Sequence, residues 1–355
     1  MKGIILHGGH GTRLRPLTHT GPKQLLPIAN KPMSEYCVQS IKESGITEIA
    51  IIIGGIGSKK VREYYGSGEK FGVSFTYIEQ DSPKGIAHAI RLCKEFTKNE
   101  KFLVFLGDNI IQKSIKNFVN KFEKSNYDAT LLLCEVDDPS RFGIASVEKG
   151  DIVKIVEKPN NPSSNLAVTG IYFLTSSIFE IIDNLKPSWR NELEITDALD
   201  ILLEKNHNIS YEIITDYWKD TGTPEDIIHA NGQIIEKLDD HFIGKKENNV
   251  KINGKVIVGK NSIIRSDVII TGPVIIGENC VINSGVVISS NTSIGDNSKL
   301  SKCSIMNSII MENCKIDLDA KIKNSIISNN SEIIQSNSSN YNKIFLLGEG
   351  TKISL

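Results

Sequence analysis

From residue 258 onward an aliphatic side chain returns at every sixth position: Val258, Ile264, Ile270, Ile276, Ile282, Ile288, Ile294, Leu300 and Met306. Four residues after each stands a small or β-branched one: Ser262, Val268, Val274, Cys280, Val286, Thr292, Ser298, Ser304 and Ile310. Gly259, Gly277 and Gly295 directly follow three of the aliphatic positions. A hexapeptide period marks a parallel β-helix, in which each coil stacks its aliphatic residues on those of the next. The phase is expected to slip after Met306, at a loop or turn insertion, and to resume at Ile310, Ile316 and Ile322.

The chain ahead of the repeat is patterned differently. Residues 1 to about 235 alternate strand-like runs (Ile4–Leu6, Ile49–Ile53, Val73–Ile78, Phe102–Leu106, Thr130–Val136) with helix-like ones such as Met33–Ser44, stopped by Gly45, and Lys84–Phe96. This alternation predicts an α/β domain with a mixed, mostly parallel sheet. Ligands of such sheets bind beyond the carboxyl ends of the strands. The last helix of this region is capped by Thr223, begins with Pro224 and carries Glu225 and Asp226 in its first turn. Its apolar residues Ile227, Ile228, Ile234, Ile235 and Leu238 share a face. The polar stretch from Asp239 to Lys251 reads as a linker. The expected organisation is a catalytic domain over 1–238, a linker over 239–251, and a β-helix domain with a C-terminal tail over 252–355.

At 355 residues, with 39% hydrophobic and 23% charged side chains, the chain has the composition of an ordinary globular protein of two domains. A formal net charge of −1 argues against a nucleic-acid or acidic-membrane partner. No apolar run approaches the roughly 20 residues that span a bilayer. Nothing at the N-terminus has the pattern of a signal peptide, so a cytoplasmic location is expected. Cys37, Cys93, Cys134, Cys280, Cys303 and Cys314 lack C-x-x-C spacing, and are read as small buried apolar residues rather than metal ligands or disulfides.

Chemistry enters with the turn after the first strand. Gly8-Gly9-His10-Gly11-Thr12-Arg13-Leu14-Arg15-Pro16 follows Ile4-Ile5-Leu6, and Lys23 comes shortly afterwards. Glycines let backbone N–H groups approach an anion, while Arg13, Arg15 and Lys23 supply the charge a triphosphate requires. No Lys-Ser or Lys-Thr follows, so this is not a P-loop. Pro16 disfavours the helix that a dinucleotide fingerprint would open. The whole string, with Lys23-Gln24-Leu25-Leu26-Pro27-Ile28 and Lys31-Pro32-Met33, resembles the signature of the sugar-1-phosphate nucleotidylyltransferases. The likeness is greatest to the long form of the glucose-1-phosphate thymidylyltransferases. That resemblance implies a Rossmann-like nucleotidyltransferase domain. The repeat is similar to the left-handed form of the β-helix, an exception to the usual right-handed crossover.

The reaction so implied is attack of a sugar 1-phosphate oxygen on the α-phosphorus of a nucleoside triphosphate, with loss of pyrophosphate. The expected donor is dTTP or UTP and the expected acceptor glucose 1-phosphate, giving dTDP-glucose or UDP-glucose. Two anionic reactants demand screening, alignment and leaving-group stabilisation, with no covalent nucleophile. Arg13 suits the β- and γ-phosphates through a bidentate guanidinium. Lys23 matches the family's lysine at the reacting centre. Asp108, in Leu106-Gly107-Asp108-Asn109, and Asp220, in Trp218-Lys219-Asp220, match its two Mg²⁺-binding aspartates. Leu6, Gly8, Gly9, Gly11 and Thr12 are expected along the nucleotide. Gln80, with donor and acceptor in one side chain, is expected at the imide edge of a pyrimidine, beside Pro83 and Gly85. Gly143, Glu157, Lys158, Gly170, Tyr172 and Arg190 are expected around the sugar phosphate, Glu157 at its hydroxyls and Lys158 at its phosphate, with Glu192–Asp197 bounding the pocket. His7 and His10 depart from the common pattern and are read as neutral structural residues, with a contribution to phosphate binding at lower pH as the alternative.

Other readings are a bifunctional enzyme with acetyltransferase activity in the β-helix, a UTP-specific or mannose-1-phosphate pyrophosphorylase, and a non-catalytic nucleotide sensor. Acyl transfer of that kind ordinarily uses a histidine base, and no histidine follows His241. The repeat is therefore expected to be structural or oligomerising, in a homo-oligomer. Retention of Arg13, Lys23, Asp108 and Asp220 argues against a sensor.

Overall fold

A computed structural model describes residues 1–9 and 11–335, and the chain divides into two compact units. The first comprises Met1–Gly11, Thr18–Leu25 and Met33–Asp220; the second comprises Thr12–Leu17, Leu26–Pro32 and Thr221–Leu355.

The first unit is built on a nine-stranded mixed sheet. Strands Lys2–Leu6, Glu48–Ile53, Ser74–Glu79 and Phe102–Leu106 run parallel, with Lys2–Leu6 between Glu48–Ile53 and Phe102–Leu106. Beyond Phe102–Leu106 the direction reverses: Leu166–Leu174 pairs antiparallel with it and with strands Ala129–Glu135 and Gly143–Glu148. Strands Lys2–Leu6, Glu48–Ile53 and Phe102–Leu106 are largely apolar on both faces because both faces are covered, whereas the edge strand Ser74–Glu79 is partly exposed. Ile4, Leu6, Ala50, Ile52 and Val104 belong to one core, while Ile5, Ile49, Ile51, Leu103 and Phe105 belong to the other. The helix expected over Lys84–Phe96 is split into Ile86–Arg91 and Lys94–Thr97. It cannot start earlier, because Gly85 is held at φ +100° with its α-carbon against the backbone of Leu193.

The second unit contains the parallel β-helix. Each strand pairs in parallel with one a full coil on, as Val256–Val258 with Val274–Ile276 and Ile263–Ile264 with Val281–Ile282. The aliphatic positions from Val258 to Leu300 are all fully buried. At the corners asparagines adopt left-handed φ, among them Asn261, Asn279, Asn297 and Asn313, a conformation their short polar side chains tolerate. Asn261 Nδ2 donates to Asn279 Oδ1 at 3.1 Å, tying one corner to the next.

One expectation fails within the repeat. Met306 does not take the ninth inward position; Ile305 does, with Cys303 buried two residues before it, while Ser304 and Met306 are only half-buried. The pairing register shifts between Ser301 and Cys303, where Lys302 has φ +57°. The aliphatic position comes one residue early at Ile305 and one residue early again at Ile310, after which the six-residue spacing resumes at Ile316 as expected. The slip therefore begins before Met306 and is completed after it.

Helix Pro224–Lys237 belongs to the same unit, and the Thr223 hydroxyl caps it by accepting from Asp226 N. Its Asn231 is fully buried. Asn231 Oδ1 accepts from Ala29 N at 2.8 Å, and Asn231 Nδ2 donates to Asn291 O at 3.1 Å. Asn30 Nδ2 donates to Ile294 O at 2.7 Å. These bonds join the hairpin 27–32, the helix and the β-helix. No helix among the described residues is long and apolar enough to cross a membrane.

Candidate active site

The strand Lys2–Leu6 is buried along its whole length, and His7 still donates its N–H to Ile52 O at 2.9 Å. The chain therefore leaves the sheet at Gly8. Gly9 at φ +95° and Gly11 at φ +58° then follow, positive values that glycine adopts without strain. The Thr18 hydroxyl donates to Gly11 O at 2.8 Å, and Gln24 Nε2 donates to Gly8 O at 3.0 Å, so both ends of the turn are fixed by side chains from the following segment. His10 lies outside the described residues. His7 is buried with its ring edge against Tyr65, and burial pushes its pKa down to about 3. Burial thus favours the neutral ring, the form the sequence reading expects.

Next to this turn the strand Phe102–Leu106 ends, and Gly107 donates its N–H to Leu6 O. A Cβ at Gly107 would stand 2.9 Å from that oxygen and 3.1 Å from both Gln24 and His7, so only glycine fits. Asp108 follows, and its carboxylate forms an ion pair with Lys23 Nζ. Burial alone would raise the Asp108 pKa; the Lys23 charge and hydrogen bond outweigh it and hold the carboxyl below its ordinary value. Asn109 Nδ2 donates to Asp108 Oδ1 at 3.1 Å, while Asn109 Oδ1 accepts from Trp218 Nε1 at 2.8 Å. Asp220 is the antiparallel register partner of Asn109, which brings the second aspartate of the sequence reading beside the first along the backbone. The Cys37 thiol donates to Asn109 O at 3.5 Å, and burial with the nearby Asp108 charge raises its pKa. The ionisable donors here are thus two carboxylates and a thiol held protonated, a set that suits a hard divalent cation completed by phosphate oxygens. No group of three or more His, Cys, Asp or Glu side chains arranged to hold a metal occurs among the described residues.

A second cluster forms where Gly143 and Glu157 pair across two antiparallel strands. Glu157 Oε2 accepts from the Thr196 hydroxyl at 3.1 Å, and Glu157 Oε1 accepts from Arg190 Nη1 at 3.4 Å. Lys158 Nζ lies 3.6 Å from the same Oε1. Arg190 also reaches Glu194 at 3.3 Å and Glu192 at 3.4 Å. Burial raises the Glu157 pKa, the Lys158 and Arg190 charges oppose that, and the Glu194 charge adds to it. A side chain at Gly143 would press into Thr196 and approach Glu157, so glycine keeps that carboxylate accessible. Gly170 packs its α-carbon against Leu106 and Asn109. Tyr172 is a core residue; burial, and then the charges of Glu157, Asp108 and Glu194, push its pKa up.

The third cluster surrounds Gln80. Its Nε2 lies 2.9 Å from His88 Nδ1 and 3.4 Å from Gly85 O, and its Oε1 lies 3.3 Å from where a Cβ on Gly8 would stand. Pro83 is exposed. The turn is bonded to the second cluster, since Leu193 N donates to Lys84 O at 2.8 Å and Ala87 N to Leu193 O at 3.1 Å.

Thr12, Arg13 and Arg15 belong to the second unit and are exposed there. The Arg13 guanidinium lies against Gly222, where a Cβ would meet it at 3.1 Å.

The model of the nucleotidyl transferase family matches residues 2–237. The chain belongs to that family. The low-salt glycan biosynthesis nucleotidyltransferase Agl11 of Haloferax volcanii is 43% identical over 263 residues, 74% of each chain. The glucose-1-phosphate thymidylyltransferase of Streptomyces antibioticus is 40% identical over 271 residues, 76% of each. The bifunctional protein GlmU of Methanococcus maripaludis is 37% identical over 270 residues, covering 75% of this chain and 62% of that one. Among solved structures, a Bacillus anthracis protein described as a glucose-1-phosphate thymidylyltransferase superposes with TM-score 0.64 at 42% identity, over 68% of this chain and 98% of that one. A UDP-glucose pyrophosphorylase bound to UDP-glucose superposes with TM-score 0.60 at 31% identity, over 67% of this chain and 99% of that one. The model of the GMPPB C-terminal domain matches residues 270–354.

The chain is accordingly an enzyme, a nucleotidyl transferase acting on sugar phosphates, of a family that generally uses a divalent metal. The clusters just described contain a cation paired with a carboxylate, a carboxylate flanked by two cations, and a buried amide. The sequence alone does not single out several of their members. Thr196 is there only part of a string bounding the pocket, Gln24 stands beside the lysine that carries the signature, and Asn109 is context for Asp108. Each acts through a contact with a residue far away in sequence.

Proposed function

We propose that this chain transfers a thymidylyl or uridylyl group from dTTP or UTP to glucose 1-phosphate, releasing pyrophosphate. The observation that carries the reading is the Lys23–Asp108 ion pair at the carboxyl ends of two parallel strands, next to the glycine turn. A sugar-phosphate oxygen forms the new bond to the α-phosphorus as the bond to the bridging oxygen of the leaving pyrophosphate breaks. Asp108 orients Lys23 so that its ammonium offsets charge at the phosphorus, and no enzyme nucleophile is required. The turn at Gly8, Gly9, Gly11 and Thr12 offers N–H groups to the triphosphate beyond Leu6, and Arg13 grips its outer phosphates. Glu157 accepts sugar hydroxyls and Lys158 the sugar phosphate, within walls formed by Gly143, Gly170 and Arg190. Tyr172 supports that pocket from the core. Gln80, Pro83 and Gly85 face the base.

Asp108 and Asp220 would hold Mg²⁺ together with phosphate oxygens, and the ion would neutralise charge on the reacting phosphates. Catalysis is assigned to residues 1–238, with a linker over 239–251 and a left-handed β-helix and tail over 252–355, of which 336–355 lie outside the described residues. The β-helix lacks a histidine and is read as structural in a cytoplasmic homo-oligomer. A pyrophosphate-release assay with Mg²⁺ over a matrix of nucleoside triphosphates and sugar 1-phosphates tests the proposal. The best pair should be dTTP or UTP with glucose 1-phosphate, and a preference for GTP with mannose 1-phosphate would refute it.

A further inference from the structure

Gln80 and His88 are both buried, and their contact carries more information than either residue alone. A glutamine amide has one acceptor oxygen and two N–H donors, and a neutral histidine ring has one nitrogen of each kind. The Gln80–His88 contact by itself fits either amide orientation. Gly85 O decides between them. A backbone carbonyl only accepts, so the Gln80 atom lying 3.4 Å from Gly85 O and 2.9 Å from His88 Nδ1 is the nitrogen. His88 Nδ1 must then be the acceptor, with the ring proton on Nε2. Both amide N–H groups point inward, and Oε1 turns toward Gly8 at the head of the glycine turn.

We propose that His88 is a positioning residue for base recognition, holding the Gln80 amide so that only its oxygen faces the base. The inference rests on the reading that places Gln80 at the nucleobase. A fixed acceptor there selects a base that brings a ring N–H, as N3–H of uracil and thymine does. Cytosine carries a lone pair at the same ring position, and two acceptors facing each other repel and leave both unsatisfied. Discrimination between keto and amino pyrimidines is therefore set one residue behind the base contact. Burial, reinforced by the charges of Arg91 and Lys84 and opposed by that of Asp81, lowers the His88 pKa and keeps the ring neutral.

The test compares kcat/KM for UTP and dTTP with that for CTP in the wild type and in H88L, H88N and Q80L. The leucine of H88L offers no acceptor, whereas the amide oxygen introduced by H88N branches from the same γ position as the Nδ1 of histidine. H88L should lower the keto-to-cytosine ratio at least tenfold, mainly through KM for the nucleotide, and H88N should recover most of that loss. A ratio unchanged in H88L but collapsed in Q80L overturns the role of His88 and leaves Gln80 at the base. A ratio unmoved by Q80L overturns the reading of Gln80 itself. Should H88L fail to fold, nitrogen-15 NMR of the wild-type histidines, with H88N for assignment, gives an independent answer. A proton on His88 Nε2 is expected, and a proton on Nδ1 would overturn the proposal.

Discussion

Lys23 is the charge that acts most strongly on Asp108, so each substitution reports on the pair. Lys23→Ala should reduce kcat about 10²–10³-fold, the usual cost of removing one preorganised charge-stabilising group, with a smaller effect on KM. Steady-state pyrophosphate release checks this. Glu157 gives a prediction with two opposite signs. Its pKa is raised in the folded state, so its contribution to stability is present at low pH and is lost as pH rises through that raised value. Glu157→Gln should therefore leave the protein at least as stable at pH 7 by thermal melt. The same variant should raise KM for the sugar phosphate by about tenfold or more, since hydrogen bonds to charged groups are worth roughly 1.5–3 kcal/mol. In the wild type, KM for the sugar phosphate should begin to rise on acidification at a higher pH than an ordinary glutamate would give. A pH profile of KM in which Glu157→Gln keeps that acid limb would contradict the assignment.

At the scale of elements, the decisive positions are those where one segment is held against another. Gly85 is at φ +100°, and a Cβ on it would stand 2.4 Å from Leu193 O. Gly85→Ala should therefore shift the turn that starts helix Ile86–Arg91, costing about 1–3 kcal/mol of stability and weakening nucleotide binding. Chemical denaturation and nucleotide titration would measure both, and a loss of stability with unchanged binding would separate the turn from the base site. Asn231 joins hairpin, helix and β-helix through two buried hydrogen bonds. Asn231→Ala should destabilise the chain by about 1–3 kcal/mol for each partner left unpaired, read from the denaturant midpoint. Thr223 shows how a local signal survives folding: its cap is legible from Thr-Pro-Glu-Asp alone, because an N-cap is decided within one turn.

At the scale of the whole molecule, the β-helix offers the plainest stability test. Ile282 is fully buried within a stack of like residues, and Ile282→Ala should cost about 2–5 kcal/mol in denaturant unfolding of the full chain. Period and composition make this architecture readable, since every hexapeptide repeats the same demand for one aliphatic and one small inward residue. The glycine turn and the strand ends are readable for a similar reason: strand, turn chemistry and motif lie within a few neighbouring residues. The site's partners are not. Thr196 meets Glu157 across 39 positions, and Trp218 meets Asn109 across 109. The register shift between Ser301 and Cys303 moves the inward position from Met306 to Ile305, although both residues are apolar and the period alone favours Met306. By itself the sequence determined the two architectures, the glycine turn after the first strand and the residue types available for chemistry, because those follow from local periodicity and local conformation. Only the tertiary structure decided which carboxylate holds Lys23, which charges share Glu157 and which way the Gln80 amide faces. Those outcomes depend on burial and on hydrogen-bond partners brought together from distant parts of the chain, where a donor left unmatched costs more than any local preference can offset.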